Sequence, residues 1–97
     1  MRKYELMFIM QPGMAEEALV SFLEHLQQVV TEHGGEVIKM DRMGLRKLAY
    51  SIGKHQQGHY VLIQAALSQE AMIEFERALK ISEDLLRYLF TRLEEAE

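Results

Sequence analysis

The chain has 97 residues, 48% hydrophobic and 27% charged, the composition of one globular domain rather than of a disordered or membrane-embedded segment. Its net charge of −4 and pI of about 5.6 argue against indiscriminate nucleic-acid binding by the molecule as a whole. Cysteine is absent, which excludes disulfides, thiol catalysis and thiolate metal sites, and no apolar run approaches the roughly 20 residues of a membrane span.

The amino terminus, MRKYELMFIM, has a basic pair but only a short apolar stretch and no small-residue cleavage site, so it reads as mature sequence. From Lys3 to Met10 the residues Tyr4, Leu6, Phe8 and Met10 share one face at period two, while Met7 and Ile9 share the other with Lys3 and Glu5. This predicts a central strand, ended by Pro12-Gly13. From about Ala15 to His33, Leu19, Phe22, Leu23, Leu26, Val29 and Val30 trace one helical stripe. Glu16 and Glu17 suit the positive end of the helix dipole, and Gly34-Gly35 supplies a left-handed stop. The helix carries Glu16, Glu17, Glu24 and Glu32 without a Lys or Arg, so its outer face is acidic.

Glu36 to Asp41 reads as a second strand, interrupted by a bulge or turn around Met43-Gly44, with extended structure resuming from Leu45 to Ile52. Gly53 to Gly58 reads as a polar turn and Tyr60 to Ala66 as a third strand. Ser68 is placed to cap a second helix, roughly Gln69 to Lys80, with the stripe Met72, Phe75 and Leu79. In Leu85 to Leu93 the leucines suit a helix, whereas Leu86, Tyr88 and Phe90 alternating with Arg87, Leu89 and Thr91 suit a last strand. The expected order is strand, helix, strand, strand, helix, strand. Such a split βαββαβ chain builds a four-stranded antiparallel sheet with two helices on one face, an α+β class. The other face stays uncovered by the chain's own helices. Residues 1–93 are expected to form this single domain and 94–97 a short acidic tail.

Catalytic constellations are missing. His55 and His59 are four apart but have Gly58 between them, and they lack the rigid helical spacing of a zinc-binding pair. No Ser or Thr sits in a nucleophile elbow, and neither GxGxxG nor a Walker A loop occurs. The carboxylates cluster on outer helix faces and the tail, without an acid–base pair. No enzymatic activity, metal, cofactor or small-molecule substrate is expected.

What stands out is a basic stretch. Between Lys39 and Lys54 lie Lys39, Arg42, Arg46, Lys47 and Lys54 against the single acid Asp41, a local charge of +5 − 1 = +4 on an acidic protein. A polyanion can sit there, although a charge cluster by itself is most often a solvated loop. Its wording is more specific than its charge. Gly44-Leu45-Arg46-Lys47-Leu48-Ala49-Tyr50-Ser51-Ile52-Gly53-Lys54, followed by Gly58-His59-Tyr60, resembles the signature of the protein six family of the bacterial small ribosomal subunit. The opening Met1-Arg2-Lys3-Tyr4-Glu5 matches that family's amino terminus, and the resemblance runs colinearly to about Arg92. Ser51 departs from the family's frequent Pro, and the short acidic end departs from longer extensions, so tail contacts are not carried over.

The resemblance implies a ferredoxin-like domain, cytoplasmic in the ribosome, that binds the central domain of small-subunit ribosomal RNA as a heterodimer with small-subunit protein eighteen. It implies neither enzymatic activity nor a cofactor. The expected RNA-binding residues are Arg46 and Lys47 first, with Arg2, Lys3, Arg42 and Lys54 completing a basic edge. Neighbouring strand residues point to opposite faces, so Arg46 and Lys47 are expected to serve different neighbours unless a bulge at Gly44 turns the strand. Six phosphate contacts would give a log–log salt slope on the order of −4 to −5. Tyr4 is expected to pack, while Tyr50 and Tyr60 are open to either packing or stacking on bases. The alternative reading is a ligand-sensing or dimerising ferredoxin-like module that acts through its open sheet face.

Overall fold

Period-two alternation places the side chains of Arg2–Met10 on two faces, and this segment forms β1. Leu6, Phe8 and Met10 are buried, while Met7 and Ile9 are half-buried on the other face. The computed structural model describes residues 1–93; the acidic tail expected at 94–97 lies outside the described residues. The element order is β1, α1 (Glu16–Glu32), β2 (Glu36–Ile52), β3 (His55–Leu67), α2 (Gln69–Lys80) and β4 (Leu85–Leu93). One antiparallel sheet results, in the order β2-β3-β1-β4. This is the predicted α+β, ferredoxin-like architecture, with β1 central.

The helical stripes close the core. Leu19, Leu23, Leu26 and Val30 of α1 and Ala71, Phe75, Ala78 and Leu79 of α2 cluster with Leu6, Phe8, Met10, Val61, Ile63 and Ala65 of the sheet. Both helices therefore cover the same face. Burying each large side chain contributes roughly 1.5–3 kcal/mol relative to exposure. Phe8 meets Phe22 edge-on, and Phe90 meets Phe75, Tyr4 and Tyr88 in the same way. Tyr4 is thus a packing residue, as expected. Ser68 Oγ accepts the N–H of Ala71 at 3.1 Å and caps α2, and α1 ends where the Gly35 N–H returns to the Val30 carbonyl at 2.9 Å.

Three stretches differ from the sequence expectation. The polar turn expected at Gly53 to Gly58 is only Gly53-Lys54, and β3 starts at His55. The run His55-Gln56-Gln57 is polar and has no apolar alternation, so composition does not betray the strand. β2 is also one continuous strand, with the predicted irregularity expressed as a bulge. Arg42 pairs with Val61 and Gly44 with Tyr60, leaving Met43 as the extra residue and Gly44 at φ +86. In β4 it is Leu85, not Leu86, that packs on the core beside Tyr88 and Phe90. The register shift opposite Ile9/Met10 skips Leu86 and turns it to the other face.

Past Met10 the sheet loses β1, and β3 continues with β2 alone as a two-stranded arm. Gly58 permits the arm to cross the end of β1, because a Cβ there would collide with Ile9 Cγ2 and sit 3.1 Å from the Met10 carbonyl oxygen. Phe8 is fully enclosed at 0% exposure and Leu89 is open at 64%. Phe8→Ala should lower unfolding free energy by about 3–5 kcal/mol, and Leu89→Ala should change it by no more than about 0.5 kcal/mol. Urea denaturation with an unchanged m value checks both.

Candidate nucleic-acid interface

The bulge decides which face each cation of β2 takes. Arg42 lies opposite the buried Val61 and therefore on the helix side of the sheet. One extra residue later the alternation is reversed. Arg46 lies opposite Gly58, whose missing side chain would point at Ile9 on the open face, and Lys47 lies opposite Gln57 on the other side of the ribbon. Arg46 and Lys47 are both exposed and project in opposite directions, while Lys54 sits in the turn at the tip. Arg46 Nε donates to the Met43 carbonyl at 3.1 Å, which folds the guanidinium stem back over the bulge.

Arg42 is engaged elsewhere. Its two terminal nitrogens donate to the two carboxylate oxygens of Glu16 at 2.7 and 2.8 Å, a bidentate pair that ties the base of the arm to the first turn of α1. The hydrogen bonds from Arg42 hold the Glu16 carboxyl below the usual carboxylate range, with the charges of Arg42 and His59 adding to the effect. The same bond raises the Arg42 guanidinium further above its ordinary value. The acidic helix thus meets the basic strand at this point. Buried beside the pair is His59 Nε2, which has no hydrogen-bond partner among the described residues.

At the tip a second arginine holds the arm. Arg87 of β4 lies over the Tyr50 ring, with its Cζ 5.2 Å from the centroid, and donates through Nη1 to the Tyr50 hydroxyl. Tyr50 belongs to one edge strand and Arg87 to the other, so the arm curls across the end of β1. Neither tie has a local sequence signal: Glu16 and Arg42 are 26 residues apart, and Tyr50 and Arg87 are 37 apart.

Arg2 and Lys3 occupy the opposite end of β1. Arg2 lines an open cleft with Tyr4, Ser68, Gln69 and Arg92 on the helix side, and Lys3 is exposed on the other face. Nine residues of strand separate this end from the arm, roughly 26 Å at the usual rise. The expected single basic edge is therefore two cationic poles. Between them the open face carries the apolar row Leu62, Met7 and Leu89, with Tyr60 and Ile9 beside it. Among the described residues no three His, Cys, Asp or Glu side chains converge on one point.

Sheet, helices and arm define a ferredoxin-like domain with a basic β-ribbon and no catalytic constellation among the described residues. The chain matches the family "Ribosomal protein S6" over residues 3–92. It is 45% identical over 92 residues to small ribosomal subunit protein bS6 of an Exiguobacterium species, covering 95% of this chain and 97% of that one. With the bS6 protein of Moorella thermoacetica it shares 41% over 95 residues, covering 98% and 97%. The crystal structure of 30S ribosomal protein S6 from Thermotoga maritima superposes with a TM-score of 0.87 at 31% identity, covering 95% of this chain and 87% of that one. The C-terminal domain of the MgtC protein from Mycobacterium tuberculosis, at 10% identity and a TM-score of 0.67 over 99% of this chain and 92% of that one, shares the fold alone. The chain belongs to the ribosomal protein S6 family. It is accordingly a ribosomal protein of the small subunit in the cytoplasm and not an enzyme.

Because the folded carboxyl of Glu16 titrates below its unfolded value, its contribution to stability is present above the unfolded carboxylate range and is lost as pH falls through the folded value. Glu16→Gln should remove this part of the acid sensitivity, so that stability falls less steeply as pH drops below the unfolded carboxylate range. Denaturant titrations of both proteins at neutral pH and at successively more acid pH measure it.

Proposed function

We propose that this chain binds the central domain of small-subunit ribosomal RNA together with small-subunit protein eighteen, and that the β2–β3 arm is its principal RNA contact. The observation that carries this reading is the arm itself. It lifts Arg46, Lys47 and Lys54 beyond the end of β1, where all three are exposed. Cations on a narrow ribbon neutralise phosphates on two sides and fix position, while RNA shape supplies selectivity. Arg2 and Lys3 are a second contact at the far pole. An RNA touching both poles must run along the sheet or offer two separate segments.

Arg42 has a different role from the one its charge suggests. Its fork is filled by Glu16, so it orients the base of the arm and leaves phosphate binding to the other five cations. Five contacts correspond to a salt slope on the order of −3.5 to −4.5. The open-face apolar row of half-buried Leu62 and Met7 with exposed Leu89 is the surface that supports a protein partner, since five cations on a molecule of net charge −4 make a thin RNA site without one.

Arg46→Glu with Lys47→Glu should leave the fold intact and weaken RNA binding in the presence of protein eighteen by at least about tenfold at 0.15 M salt, with a slope shallower by about two. Arg42→Gln should leave the slope unchanged. Unaltered affinity for the double variant in a salt-titrated binding assay would defeat the proposal. Sedimentation of the purified chain separates it from the dimerising-module alternative, which requires a homodimer indifferent to RNA.

A further inference from the structure

The arm carries one aromatic side chain whose ring stays open to solvent. Tyr4 and Tyr88 pack on the core, and Tyr60 is half-buried within the sheet, but Tyr50 is 57% exposed. It lies in a stretch of β2, between Lys47 and Ile52, where the ladder with β3 is interrupted. Its backbone is therefore not held by regular pairing, yet its ring is held. Arg87 places its guanidinium over the ring and donates to the hydroxyl, reaching across from the opposite edge strand. Arg46, Lys47 and Lys54 surround it in sequence on the same arm.

We infer that Tyr50 is a stacking platform for an unpaired nucleobase, pre-oriented by Arg87, an inference that rests on the RNA-binding role proposed above. Bases splayed from loops and bulges stack on aromatic rings and guanidinium planes, and an open ring among phosphate-binding cations supplies both parts of such a contact. Pre-orientation matters because a ring already fixed by Arg87 loses little rotamer freedom when a base lands on it. Arg87 is then a positioning residue, and its own charge is directed at the ring and hydroxyl of Tyr50 instead of at a phosphate. The contact is uncharged, so it adds affinity without adding to the salt slope.

The test uses the full chain with protein eighteen and the central-domain ribosomal RNA. Tyr50→Phe should bind RNA within about twofold of the parent, because the ring is kept. Tyr50→Leu should bind about tenfold or more weakly with an unchanged log–log salt slope. Since the chain has no Trp, Tyr50→Trp installs a single reporter in this protein, whose emission should fall when RNA is added to the complex. Parental RNA affinity of Tyr50→Leu would overturn the inference. So would equal losses for the Phe and Leu variants, which would reduce Tyr50 to a hydroxyl tie for Arg87. Weakened binding of protein eighteen to Tyr50→Leu in the absence of RNA would assign the ring to the protein partner instead. If the Arg46 and Lys47 double variant loses RNA while Tyr50→Leu does not, the stacking idea fails alone and the RNA-binding role stands.

Discussion

β3 is the strand on which the rest of the molecule depends, because it pairs with β1 on one side and β2 on the other and outlasts β1. Along Val61 to Leu67 it contributes buried residues to the core between sheet and helices. Beyond His59 it pairs with β2 alone among the described residues, and the chain leaves the globule as a ribbon. The arm is thus a consequence of unequal strand lengths. Gly58 makes the transition sterically possible where Ile9 and the Met10 carbonyl crowd the ladder.

One extra residue, Met43, then divides the cations of β2. Strand geometry alone would put Arg42, Arg46 and Lys54 in one phase. The bulge leaves Arg42 on the helix side, where Glu16 meets it, and turns Arg46 to the open side. Like charges that are close in sequence are thereby separated in space, and an acid from the first helix is brought to one of them. The pairing is exposed on both partners, at 39% and 65% for the two side chains, so its value lies in orientation more than in stability. The Arg87–Tyr50 contact does the same for the tip, and the two ties together limit how the ribbon can swing.

Exposure and charge on the sheet follow from the same topology. With both helices on one face, Met7, Leu62 and Leu89 are left on the other, flanked by the hydrogen bond from Gln64 to Glu5. A face so mixed is too apolar for a solvated sheet and too polar for a second core. It is the surface on which the proposed protein partner would sit. The two cationic poles bracket it, at the arm and at the start of β1.

The fold was legible in the residue pattern because hydrophobic periodicity is a local property. Leu19 to Val30 at helical spacing, Tyr4 to Met10 at period two, Ser68 before a helical stripe and Gly44 at an irregularity each carry their own signal. Where the pattern misled, the cause was non-local. The ribbon from His55 to Gly58 is polar because no third strand covers it, and Leu86 changes face because of a register shift opposite Ile9/Met10. The cations were legible as residues, yet their grouping was not. Which of Arg2, Lys3, Arg42, Arg46, Lys47 and Lys54 lie together depends on strand order, one bulge and the partners that distant elements supply. The amino-acid sequence by itself determined the six elements, the buried stripes, the family signature and the inventory of charges. Only the tertiary structure decided that these charges form two poles, that Arg42 is claimed by Glu16, and that Tyr50 is held open by Arg87. Electrostatic and stacking contacts act through space, and no spacing along a chain encodes them.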